Sequence, residues 1–183
     1  MGWFGTYGKF PGFKAVVDGI KFEDSNIHVV AHALVNMKEG WMVLEDKSTG
    51  ERFARLHLLR IGADEWDYKP IDEFNHPYYY SIPEKLFKML TPLADNEGNK
   101  YALTWRAKVT ERLNKLNGNK KLLRNNVLFK LGSESLYRVE DANWDKSNIL
   151  IKDMNLKTYK LSKKRFYKEA VIESDATGQV TLF

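Results

Sequence analysis

Apolar side chains in this chain follow two periods, and the order in which the periods alternate leaves few architectures open. Between Asn99 and Asn117, Ala102, Trp105, Val109, Leu113 and Leu116 recur at steps of three and four, drawing one stripe along a helix. Gly118 follows as a natural helix stop. On both sides of that helix the period falls to two. Ile27–Val35 puts Ile27, Val29, Ala31, Ala33 and Val35 on one face and His28, Val30, His32 and Leu34 on the other, which marks a strand. Trp41–Glu45 and Glu51–Ile61 read as two more, joined by the turn-forming run Asp46-Lys47-Ser48-Thr49-Gly50. Residues 27–61 are expected to form a three-stranded antiparallel meander.

Ser81-Ile82-Pro83-Glu84 fits a capping box, with Ser81 as N-cap and Glu84 three residues on. A short helix is expected after it, ended by Pro92. Residues 1–20 are rich in Gly and aromatics and read as an irregular entry with a short helix around Phe13–Asp18. Beyond residue 120 the spacing gives strands at Val127–Leu131, Ser135–Val139, Ile149–Lys152, Thr158–Leu161, Ala170–Glu173 and Val180–Leu182, with one helical turn in Ser162–Tyr167. So many short strands point to a small SH3-like barrel. The chain, 183 residues long, therefore reads as α+β: a β-meander with two helices over residues 1–118, then a small β-barrel domain over 119–183.

Several chemistries are excluded or left without support. The sequence has no cysteine, which removes disulfides, thiol nucleophiles and thiolate metal sites. No apolar run approaches the roughly 18–20 residues of a membrane span, and no secretory leader is visible. A cytoplasmic protein is the expectation. On one strand face, His28 and His32 lie about 13 Å apart, too far to share an ion. Walker, Gly-x-Ser-x-Gly and HExxH patterns are absent. No catalytic residue, cofactor or metal is expected.

Charge is the strongest remaining signal. Residues 106–168 hold 17 Lys/Arg and 6 Asp/Glu, a local net of +11, although the whole chain nets only +5. Arg106, Arg112, Lys115, Lys120, Lys121 and Arg124 belong to the helix and its exit; Lys160, Lys163, Lys164 and Arg165 form a second cluster. Aromatic residues, Phe129, Tyr137, Trp144, Tyr159, Phe166 and Tyr167, interleave with these cations. Cations and rings together can neutralise phosphates and stack on bases. The opposing feature is acidic: Asp64, Glu65, Asp67, Asp72 and Glu73, followed by Tyr78 and Tyr79. A solvated acidic loop beside exposed rings suits contact with a protein partner.

The opening Met1-Gly2-Trp3, the meander ending at Leu58-Leu59, the two prolines of His76–Pro83 and the helical Trp105-Arg106 occur in an order that resembles an uncharacterised family of bacteriophage and mobile-element proteins. That resemblance implies a phage-type origin and a small protein acting on host machinery. It carries no reaction and no catalytic residue. The leading expectation is a non-enzymatic binding protein that contacts a host protein and inhibits a defence or nucleic-acid enzyme. The alternative is direct binding of DNA or RNA by residues 106–168.

Overall fold

The computed structural model describes residues 13, 16–18, 26–36, 38–59, 70–75, 77–132 and 135–174. Its backbone divides into two units, Met1–Val109 and Thr110–Phe183, each with its own core.

In the first unit the meander is present. Strands β1 (Ile27–Asn36), β2 (Glu39–Asp46) and β3 (Arg52–Leu58) pair antiparallel, and a two-residue strand the sequence did not announce, β4 (Ile71–Asp72), adds to the edge of β3. The expected turn is tied by Asp46, whose carboxylate accepts from Ser48 N at 2.8 Å; Gly50 then turns with φ +73°. Central β2 is buried from Glu39 to Leu44, which is why alternation is weak there. Phe13 and residues 16–18 are helical, and Phe13 and Val17 pack with Val29, Met42 and Leu44.

Phe13 also explains Gly40. A Cβ at residue 40 would stand 2.2 Å from Cε2 of the buried Phe13 ring, so only glycine fits. Gly40→Ala should therefore lower stability by about 1–3 kcal/mol, the usual cost of overpacking. The urea midpoint reads this directly, and an unchanged midpoint would mean the ring has room to yield.

The capping box does not form. Helix α1 is only Glu84–Phe87, its N-cap is Pro83, and no side chain caps it. Ser81 instead accepts from Trp41 Nε1 at 3.4 Å, so its hydroxyl serves the core below the helix. Trp41 gives the same N–H to Glu39 at 2.8 Å and stacks on Trp105, centroids 5.5 Å apart.

Trp105 belongs to α2 (Lys100–Leu122), the long helix expected from the period. Ala102, Trp105, Val109 and Leu113 are buried as expected, and Leu116 is half-buried. The helix does not stop at Gly118. A mid-helix glycine costs about 1 kcal/mol. Against that, Asn119 is buried and its Nδ2 donates to Tyr167 O and Ala170 O, both at 3.0 Å, and Leu122 packs on the second core. The unit division accordingly falls inside α2, at 109/110, and not at 118/119.

The second unit is a five-stranded antiparallel sheet in the order β8-β7-β6-β5-β9. Its strands are β5 (Leu128–Leu131), β6 (Ser135–Asp141), β7 (Asn148–Asp153), β8 (Thr158–Ser162) and β9 (Val171–Ser174). The expected strand at Val180–Leu182 lies outside the described residues. The sheet is open: β8 and β9 are opposite edges, and no pairing joins them among the described residues. The SH3-like barrel is thus not formed there, because α3 (Lys163–Glu169) carries the chain from β8 to β9 and delivers β9 beside β5. Helix α3 starts where the sequence placed a turn, with Ser162 Oγ accepting from Arg165 N at 3.2 Å. It plants Phe166 on Phe129, centroids 4.8 Å apart, over a core of Val127, Val139, Ile149, Ile151, Leu161 and Ile172.

Candidate nucleic-acid interface

Two of the expected contact residues turn out to be partners. Glu73 is completely buried and Arg106 is 14% exposed. Arg106 Nε donates to Glu73 Oε2 at 2.6 Å and Nη2 to Oε1 at 2.8 Å. Ala54 N donates to Oε1 at 3.0 Å, and Arg106 Nη1 donates to Thr91 O. An arginine fork closed on a buried carboxylate reaches neither a protein partner nor a phosphate, so both residues leave the candidate surfaces. Asp72 is likewise held, by the guanidinium of Arg55, with Nη2–Oδ2 at 3.0 Å. Asp64, Glu65 and Asp67 lie outside the described residues. Tyr78 and Tyr79 are exposed, at 82% and 43%, where Trp105 Nε1 fastens the segment through Tyr79 O at 2.8 Å.

The basic residues of the second unit fare differently. Arg112 is half-buried on α2, while Lys115, Lys120, Lys121 and Arg124 are exposed along its second half and exit. Lys120 sits over the ring of Tyr167 at 6.0 Å. On α3, Lys164 and Lys168 are exposed, and Arg165 is paired with Glu169 at 2.9 Å. Lys115, Lys121, Lys164 and Lys168 meet no carboxylate among the described residues. By sequence this unit carries 15 Lys/Arg against 9 Asp/Glu.

A third segment joins the helix exit and α3. The β6–β7 connection, residues 142–147, is anchored at its start by Ala142 N donating to Asn125 Oδ1, 2.8 Å, just past Arg124. At its other end Lys163 N donates to Ser147 O, 2.8 Å, where β8 passes into α3. Inside the loop, Asp145 accepts from Ser147 N and Asn148 N, both 2.7 Å, and from Asn148 Nδ2. Lys160 Nζ approaches its carboxylate to 3.4 Å, and Lys163 Nζ donates to its carbonyl at 2.9 Å. The Asn148 side chain above all, then the Ser147 N–H, hold the Asp145 carboxyl down at about 2, so it stays ionised at any ordinary pH. Trp144, next to it, is 52% exposed.

Lys160 and Lys163 are therefore brought to one loop as a pair, but both are engaged by Asp145. Lys146 was not among the expected site residues, and Trp144 was expected only as one of six rings interleaved with the cations. Their signal was present: Asp141, Asn143, Asp145, Ser147 and Asn148 form a turn-forming run with no apolar alternation to bury a tryptophan.

Among the described residues no three His, Asp or Glu side chains gather to hold a metal ion, and no helix is long and apolar enough to cross a membrane. Comparisons with protein-family models, with curated proteins and with solved structures find no match, so the α+β architecture and the geometry of this surface carry the functional reading by themselves.

Proposed function

We propose that the chain is a non-enzymatic binding protein whose second unit holds nucleic acid through the exposed basic surface of α2 and α3. One observation carries this: Lys115, Lys121, Lys164 and Lys168 are solvent-exposed and left unneutralised among the described residues, while Lys120 lies over an aromatic ring. Neutralising phosphates releases counterions, so such a surface binds strongly at low salt and progressively less as salt rises. A cytoplasmic setting and a phage-type origin go with this reading as proposals.

The test is a titration of labelled DNA and RNA at two salt concentrations. Reversing Lys121, Lys164 and Lys168 to Glu should weaken binding at least tenfold and flatten the salt slope by about two to three. Absence of any binding at about 50 mM salt, where phosphate contacts are strongest, would sink the proposal.

The host-protein reading keeps one observation in its favour, exposed Tyr78 and Tyr79 in the first unit. It loses Glu73 to the core and Asp72 to Arg55. Retention of a host protein that survives nuclease treatment, and is abolished by Tyr78→Ala, would restore it.

A further inference from the structure

Resting on the reading above, we infer that Trp144 is a stacking platform for an unpaired base, which makes the second unit a binder of single-stranded nucleic acid. Tryptophans usually sink into cores, and this one sits half out of the surface on a connection that is not loose. Ala142 is held to Asn125, Asp145 closes back on Ser147 and Asn148, and Ser147 accepts from Lys163 N. Five hydrogen bonds in a short loop hold the backbone that carries the indole before any ligand arrives, which lowers the ordering cost of binding.

The charge in this part of the second unit is basic. Lys160 and Lys163 place their ammonium groups on Asp145, the residue beside Trp144. Lys146 and Lys164 are exposed and meet no carboxylate among the described residues. Of these four lysines only Lys160 meets the Asp145 carboxylate, which already accepts from Asn148 and Ser147, and Lys163 is held by the Asp145 carbonyl. A phosphate is attracted to such a surface and a carboxylate-rich partner would be too, but only a flat π-face uses the exposed indole as well. In a duplex the faces of the bases are covered by their neighbours, whereas a single strand offers them. The geometry thus favours a strand whose phosphates run over Lys146 and Lys164 while one base lies on Trp144.

The experiment measures fluorescence anisotropy of a labelled 20-base oligothymidylate and of a duplex of equal length, at about 50 mM salt. Trp144→Ala should cost about five- to a hundredfold in affinity for the single strand and leave the duplex nearly untouched. Trp144→Phe should recover most of the loss. Because Trp144 is exposed and outside both cores, the variants should keep the wild-type circular dichroism. Binding should also quench indole emission in the wild type but not in Trp144→Phe. If Trp144→Ala binds the single strand as well as the wild type, while Lys146→Glu/Lys164→Glu does not, the stacking role is overturned and the basic surface stands. If the wild type binds neither ligand, both readings fall together.

Discussion

Arg106→Met should be among the most damaging single substitutions in the first unit, lowering its stability by about 3–5 kcal/mol. The reason is what it leaves behind. Glu73 has no solvent exposure, so without the guanidinium its carboxylate is a charge in the core with Ala54 N as the remaining hydrogen-bond donor named above. Desolvating such a charge costs several kcal/mol even after relaxation. Glu73→Gln should be milder than Arg106→Met, because the amide oxygen can still accept from Ala54 N while Arg106 retains partial access to water. The double replacement Glu73→Gln/Arg106→Met should lose less than the sum of the two, since neither charge is then stranded. Urea unfolding followed by emission of Trp41 and Trp105, buried and stacked on each other in the first unit, measures all three. A loss below about 1 kcal/mol for Arg106→Met, the level of an exposed ion pair, would contradict the buried assignment.

Acid should destabilise the first unit through a second buried group. His57 is 3% exposed, and neither ring nitrogen has a hydrogen-bond partner among the described residues. The Phe13 ring meets it edge-on at 6.4 Å and also meets His32 edge-on at 5.9 Å. Burial first, and the nearby Arg55 charge second, push the imidazole down to about 3 from its ordinary 6.5. The unfolded chain therefore takes up a proton below pH 6.5 that the folded chain refuses until about pH 3. Stability contributed by neutral His57 is complete above pH 6.5 and is lost as pH falls toward 3. The linkage amounts to about 2 kcal/mol at pH 5 and on the order of 4–5 kcal/mol at its limit. His57→Leu should remove this component: unfolding midpoints compared between pH 7 and pH 5 should converge for the variant and diverge for the wild type. Equal acid losses in both chains would rule out the assignment to His57.

The parts of the fold that follow from local pattern were legible in the sequence. Alternation across Ile27–Val35 marked β1, and the four-and-three spacing of Ala102, Trp105 and Val109 marked α2. Features decided by distant partners were not legible. Gly118 reads as a stop until Asn119 is seen to reach Tyr167 and Ala170, some fifty residues on. Ser81 reads as a cap until Trp41 takes its hydroxyl. Glu73 sits in an acidic run, and composition alone cannot separate a solvated carboxylate from one that Arg106 encloses 33 residues later. Summed charge pointed to residues 106–168 as a stretch. It could not distinguish Lys121 and Lys164, which are exposed, from Arg106, whose guanidinium is closed on buried Glu73.

The strand order β8-β7-β6-β5-β9 also sets a timetable. Strands β5 to β8 pair with sequence neighbours and can zip as hairpins while the chain is being made. Strand β5, however, gains its second neighbour only when Val171–Ser174 has emerged, about forty residues after it was synthesised. Until then one edge of β5, with Phe129 and Lys130, offers open backbone donors and acceptors. On the ribosome the second unit therefore passes through an interval in which four strands are assembled and the fifth is still to arrive, and closing that gap depends on a long loop. A nascent-chain release or pulse-proteolysis profile should place the onset of protection of β5 after residue 174 and not before.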